Sequence, residues 1–247
     1  MSTMKLKKVF IISMLRSQDR KLSMLHEISQ IKDATMTFEF FEGVDGNSSE
    51  VKRFSDNYNS LRTRCQRGSD LTLGERGCFA SHYCLWQKCV ELNEPIVVIE
   101  DDVKFLVGYE EGIDRIYNSE YEYVRLITQK EQTTYTLNDN FALTYSHVLG
   151  TQGYYLTPKA AEKFLNNASL WSKSVDVFMD DSYIHKVPNI IYKPELLEDN
   201  AEHNSLIGKR RGKRRIWFTG LKYCFAAVGV LRRYLYIKSN MRQMRVS

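Results

Sequence analysis

Between Pro95 and Phe105 the chain reads PIVVIEDDVKF, and this stretch restricts the fold more than any other. Ile96, Val97, Val98 and Ile99 make a short, mostly β-branched run behind a proline, the pattern of a strand buried on both faces. The run ends directly in Glu100, Asp101 and Asp102. A carboxylate at the end of a buried strand needs a compensating charge, and a hard divalent cation is the usual one. The strand end is therefore a candidate metal site, although three solvated acids in a loop would read the same way from the triplet alone.

The segments before it set the fold class. Lys8 to Met14 has strand length, Gln18 to Ile31 repeats Leu22, Leu25, Ile28 and Ile31 at helical spacing, and Thr37 to Phe41 reads as a second strand before a turn from Glu42 to Gly46. Strand, helix, strand predicts a parallel sheet with helices on its faces. Asn47 to Asp70 is polar and irregular, with a basic cluster at Arg62, Arg64 and Arg67, and reads as a helix and a mobile loop. Thr72 and Glu75 have capping-box spacing at the start of a helix on which Phe79, Tyr83, Trp86 and Val90 share one face. Its first turn offers N–H groups suited to a phosphate. Glu75 reads mainly as a cap, and His82 as a polar core residue or a substrate contact.

Downstream, Tyr109 to Tyr117 predicts a short helix, Tyr121 to Thr128 and Phe141 to Val148 predict strands, and Pro158 opens a further helix. Gly150, Thr151 and Gly153 in GTQGYYL either let a ligand approach the backbone or make a plain turn before a core strand. Val175 to Tyr183 supplies a second acid cluster, Asp176, Asp180 and Asp181. If this piece is helical, Asp176 and Asp180 share a face and repel unless a positive group sits beside them. Ile190 to Leu197, with Pro188 and Pro194 at its margins, reads as an edge strand.

The net charge of +5 over 247 residues hides an asymmetry. From Lys209 onward there are twelve Lys and Arg and no acidic residue, whereas the first 208 residues hold 23 basic against 30 acidic side chains. The apolar run Ile216 to Leu231 is interrupted by Lys222 and is shorter than the roughly 20 residues a membrane span takes. It predicts an interfacial helix on an anionic membrane surface, with Lys209, Arg210, Arg211, Lys213, Arg214, Arg215, Trp217, Arg232 and Arg233 as its anchors. A nucleic-acid-binding arm and a helix packed on the body or on a second subunit compete with that reading. The five cysteines are odd in number and lack any CxxC pair, so they read as reduced thiols in a cytosolic protein, with neither a disulfide frame nor a zinc site. No secretory signal is read at the start of the chain.

Several of these words together, VFIISMLRSQDR, FFEGVDG, LTLGERGCFASHYCLWQKCVE, IVVIEDDVKF, GTQGYYLTPKAAEKFL and VDVFM, resemble the glycosyltransferase family 25 enzymes of bacterial lipooligosaccharide synthesis, whose relatives include collagen galactosyltransferases. They fall in the family's order between Val9 and Leu206. Two departures stand out: the family's Asn after the first strand is replaced near Ser13 and Met14, and nothing past Gly208 matches.

The resemblance implies an α/β, GT-A-like nucleotide-sugar fold with a mixed, mostly parallel sheet over residues 1–208; the basic segment 209–247 is set apart by its charge and hydropathy alone. It also implies a UDP-sugar donor, typically UDP-galactose, Mn²⁺ or Mg²⁺, and inverting transfer to a β-linked sugar. Asp102 and then Asp101 are the expected metal ligands, with Glu100 toward donor hydroxyls. Gly150, Thr151, Gly153, Glu75 and His82 complete the candidate donor site. Asp176 is the first candidate base, with Asp180 and Asp181 behind it. The expectation is a β-galactosyltransferase, β-1,4 in linkage, acting on lipooligosaccharide at the inner face of a bacterial inner membrane. Nucleic acid is not expected as a partner, and self-association into a homo-oligomer is left open. Use of UDP-glucose or UDP-N-acetylglucosamine, a non-catalytic carbohydrate- or lipid-binding module, and a metal-dependent phosphohydrolase are the competing readings.

Overall fold

A computed structural model describes residues 6–130, 132–200 and 219–244. The expected opening folds as β1 (Lys7–Ser13), α1 (Gln18–Ser29) and β2 (Met36–Glu42). The irregular stretch that follows forms a 3₁₀ helix (Glu50–Asn57) and α2 (Ser60–Arg67). Then come α3 (Leu73–Leu92), β3 (Ile96–Glu100), β4 (Val103–Phe105), α4 (Tyr109–Tyr117), β5 (Tyr123–Arg125), β6 (Thr134–Thr136) and β7 (Phe141–Thr144). β8 (Gly153–Leu156), α5 (Pro158–Asn167), α6 (Val175–Asp180), α7 (Ser182–His185), β9 (Asn189–Tyr192), β10 (Leu197–Asp199) and α8 (Thr219–Met244) complete the order.

Eight strands form one mixed sheet in the order β2-β1-β3-β8-β5-β9-β7-β6. Its parallel block, β2-β1-β3, sets Ile12 opposite Glu100, so that these strands end at the same level. Helices cover both faces. Phe10, Val98 and Tyr154 pack with α3, α5 and α6 on one side, while Val9, Ile11, Val97 and Ile99 pack with α1 and α4 on the other. β3 is buried on both faces, as its apolar run requires. A two-stranded ribbon of β4 and β10 pins the chain just after the acidic triplet, where the Asn200 N–H donates to the Asp102 carbonyl at 2.8 Å.

The edge-strand expectation for Ile190 to Leu197 is corrected. β9 lies between β5 and β7 with all four residues buried. Pro188 and Pro194 flank the strand without entering it, so they remove no ladder hydrogen bond, and the residues after Pro194 go to β10 instead.

α8 lies beside α2 and α7. Lys222, Gly229, Arg233, Tyr236, Ile237 and Asn240, a helical stripe, are its half-buried positions among those described, whereas Ala227, Val228, Leu231, Tyr234 and Leu235 are exposed. Among the described residues, no helix is long and apolar enough to cross a membrane. Lys209, Arg210, Arg211, Lys213, Arg214, Arg215 and Trp217 lie outside the described residues.

Candidate active site

The parallel strands deliver three carboxylates to one point. The Glu100 N–H donates to the Gln152 carbonyl at 2.9 Å and the Asp101 N–H to the Ile12 carbonyl at 3.2 Å, which fixes the triplet between β1 and β8. Arg20, on α1 and 6% exposed, bridges the two aspartates, donating to Asp101 Oδ1 at 3.1 Å and to Asp102 Oδ2 at 3.3 Å. Their other oxygens, Asp101 Oδ2 and Asp102 Oδ1, are buried without a hydrogen-bond partner. Burial first, and then the negative charges of Glu100 and Asp101, push the Asp102 carboxyl up to about 7 against the opposing pull of Arg20. Glu100 behaves differently: burial raises it, but His82, the Thr151 hydroxyl and Arg20 together hold it below the usual range.

The second wall is the start of α3. Thr72 and Glu75 form the expected capping box. The helix can sit this close to the turn after β2 because Gly46 and Gly77 meet there. A Cβ on Gly46 would strike the Leu73 carbonyl, and one on Gly77 the Val44 carbonyl. Ser81 clamps the same contact, accepting from the Val44 N–H at 2.8 Å and donating to the Gly77 carbonyl at 2.9 Å. One turn apart on the inner face stand Cys78 and His82. The His82 Nδ1 lies 2.9 Å from Tyr154 Oη, which also accepts from Trp86 Nε1 at 3.1 Å, and the His82 Nε2 lies 3.5 Å from Glu100 Oε1.

Together these walls enclose a cavity of about 510 Å³, with Arg16, Arg20, Cys78, His82, Glu100 and Asp102 among its lining. It opens at the carboxyl ends of parallel strands, the place where open α/β sheets take nucleotides. The unpartnered oxygens of Asp101 and Asp102 are hard donors, and their mutual repulsion is what a divalent cation relieves, so the residues fit such an ion.

The second acid cluster separates into three roles. Asp176 is half-buried, with Oδ1 lacking a hydrogen-bond partner, and its charge acts on both Cys78 and Arg125. Its charge thus reaches Cys78, a lining residue of the acidic cavity, while Asp176 itself stands outside that lining. Asp180 shares the helix face as expected, and the positive group beside it is Arg125. Asp180 accepts from Arg125 and from Asn189 Nδ2, each at 2.9 Å, and from the Leu149 N–H at 2.9 Å. Asp181 is ringed by Lys173, His147 and Arg233, the last at 2.6 Å. Both carboxylates are occupied as counter-ions, a use that i, i+4 spacing cannot distinguish from an open base. The same contact corrects the placement of Arg233, which faces Asp181 across the docked side of α8, not an outer surface. Arg232 is exposed on the same helix.

Of the candidate donor residues, Thr151 hydrogen-bonds Glu100, and the Gly150 carbonyl accepts from Arg125 at a left-handed turn with φ of 71°. Gly153 has a packing reason instead: a Cβ there would meet the buried Leu197 side chain. Glu75 spends one oxygen on the Thr72 N–H at 2.7 Å and the other on Arg67 at 2.5 Å, which leaves it a cap and counter-ion outside the cavity lining. Sequence reasoning passed over Arg20, Cys78 and Arg125. Arg20 sits in a word that was quoted for its resemblance, and only the fold shows that its guanidinium reaches residues 81 positions away.

The family model described as glycosyltransferase family 25 (LPS biosynthesis protein) matches residues 6–179. An inactive glycosyltransferase 25 family member 3 from Mus musculus is 31% identical over 47% of the chain and 20% of the relative. Procollagen galactosyltransferase 1 from Danio rerio is 26% identical over 71% of the chain and 31% of the relative. A glycosyltransferase 25 family member from Aedes aegypti is 24% identical over 71% of the chain and 30% of the relative. The chain thus spans less than a third of the length of each of these relatives.

Proposed function

The chain belongs to glycosyltransferase family 25, and from that premise we propose that it transfers galactose from UDP-galactose, with inversion, to a terminal sugar of a lipooligosaccharide, forming a β-linkage, β-1,4 in position. The α/β fold with its mixed central sheet is GT-A-like. One observation carries the reading: a nucleotide-sized cavity at the ends of β1 and β3 is walled by Glu100, Asp101 and Asp102, and two of its carboxylate oxygens are buried without a partner.

Asp102 and Asp101 would hold Mn²⁺ or Mg²⁺, which when bound supplies positive charge to the diphosphate leaving group. Arg20 keeps the two aspartates together and partly neutralised. Glu100, oriented by the Thr151 hydroxyl, accepts hydrogen bonds from donor hydroxyls. Asp176 takes the proton of the acceptor hydroxyl as the sugar bond forms, on the face opposite the departing UDP, the requirement of a single inverting displacement. The exposed apolar side of α8, with Arg232 and the basic run before the helix, suits a lipid-anchored acceptor at an anionic membrane surface on the cytoplasmic side. A non-catalytic reading has one specific support, the relative named as inactive.

The test is Mn²⁺-dependent UDP release from a panel of UDP-sugars, with and without a lactose- or glucose-terminated acceptor, in the wild type and Asp102→Ala. Acceptor-stimulated turnover of one donor that collapses in the variant supports the transferase and names its sugar. Equal turnover in both proteins removes the acidic strand end from the mechanism. Donor binding with no turnover on any donor favours the non-catalytic reading.

A further inference from the structure

The proposed transfer chemistry leaves Cys78 and His82 without a role. They stand four residues apart on α3, hence on one face, and both line the cavity. Glu100 reaches them from the end of β3. The Cys78 sulfur, a His82 ring nitrogen and a Glu100 oxygen all lie within 4.8 Å of one another. The absence of a CxxC pair hid this grouping in the sequence, because one of its three members comes from a strand.

Thiolate, imidazole and carboxylate are the ligands of a borderline-soft ion. Three such protein ligands with one position left open make up the exchangeable kind of zinc site. Tetrahedral ligation places ligand atoms about 3.5 Å apart, so closure on an ion takes side-chain movement on the order of 1 Å from the present spacing. The surroundings of the histidine are already those of a metal-bound imidazole. With Nε2 turned to the ion, Nδ1–H donates to Tyr154 Oη, a buried hydroxyl that is itself held by Trp86. The Thr151 hydroxyl orients Glu100 in the same way. Asp101 and Asp102 offer only hard oxygens, so the two ligand sets select different ions.

We infer that Cys78, His82 and Glu100 form a binding site for a Zn²⁺-class cation, open to the cavity and distinct from the Asp101 and Asp102 oxygens. The inference stands whether or not the chain transfers a sugar. Since Glu100 belongs to both the proposed donor site and this one, an ion bound here competes with the donor for that carboxylate.

Co²⁺ titration of the full chain, followed by the thiolate-to-cobalt charge-transfer absorption and by displacement with Zn²⁺, tests it. One equivalent should develop the thiolate band in the wild type. The band should vanish in Cys78→Ser and persist in a chain carrying both Asp101→Asn and Asp102→Asn. His82→Gln and Glu100→Gln should each weaken Co²⁺ binding tenfold or more, and they carry the test if Cys78→Ser does not fold. A wild type with no thiolate band, a band that survives in Cys78→Ser, unchanged affinity in the other two single variants, or loss of the band in the aspartate double variant would each overturn the site. Mn²⁺-dependent UDP release is a separate readout, so failure of the transferase reading leaves this result interpretable.

Discussion

Arg125 and Asp180 meet at 2.9 Å with 1% and 0% of their side chains exposed, an ion pair closed off from water. The pair does more than neutralise itself. Asp180 also holds the Leu149 N–H, and Arg125 the Gly150 carbonyl, so together they fix the turn that carries Thr151 to Glu100. Removing one partner strands the other charge in the core, which costs about 3–5 kcal/mol. Asp180→Ala should therefore lower the unfolding free energy obtained from urea titration by that amount. Replacing both residues with Leu and Met should recover only the part due to the stranded charge, because the Leu149 N–H, the Asn189 amide and the Gly150 carbonyl still lose their partners.

Asp176 gives the opposite expectation. Its Oδ1 has no hydrogen-bond partner to lose, so Asp176→Asn should leave the melting temperature within a few degrees of the wild type. If it is the base, turnover should fall by about 10²–10⁴-fold. Measuring both quantities on Asp176→Asn and Asp180→Ala separates a reacting carboxylate from a structural one. An Asp176→Asn chain with undiminished turnover would return the base to the unassigned residues.

The contrast between these aspartates shows where the sequence stops being readable. The strand Ile96–Ile99, the capping box of Thr72 and Glu75 and the helix opened by Pro158 were legible because each rests on a local rule: apolar run length, hydrogen-bond spacing or a fixed φ. The convergence of Arg20 on Asp101 and Asp102 rests on the crossover from β1 to β3, and the capture of Asp181 by Arg233 spans 52 residues. Pairings set by topology leave no periodic trace. For the same reason VFMDD reads as a run of acids until Arg125 and the docked helix are placed beside it.

His185 makes stability depend on pH. Burial pushes its imidazole down to about 4, against the partly opposing charge of Asp181, and the Val187 N–H donates to Nδ1 at 3.1 Å, a bond that only the neutral ring accepts. The unfolded histidine titrates near 6.5. Between about 6.5 and 4 the unfolded chain therefore binds the proton and the folded chain does not. The stabilisation is present above 6.5 and is lost as pH falls toward 4. Urea unfolding at pH 5 should show stability lower by about 2 kcal/mol from this group than at pH 8. His185→Gln should flatten that part of the profile, and an unaltered slope in the variant would assign the acid sensitivity to other groups.

The basic segment also has a defined outcome. α8 fastens one stripe to the body through Arg233 on Asp181, while Lys186 lies over the Tyr236 ring, and it leaves Val228, Leu231, Tyr234 and Leu235 exposed on other sides. An apolar helix face flanked by arginines binds anionic bilayers through buried area together with charge, and the charge part weakens as salt screens it. Co-sedimentation with vesicles containing anionic lipid should capture the full chain at low salt and release much of it at high salt, with little capture by neutral vesicles. Leu231→Glu together with Leu235→Glu should abolish capture without touching the docked stripe, so the melting temperature should hold. Capture that is indifferent to these changes would place membrane attachment elsewhere in the chain. A concentration-dependent dimer lost in the same variant would instead assign this face to a second copy.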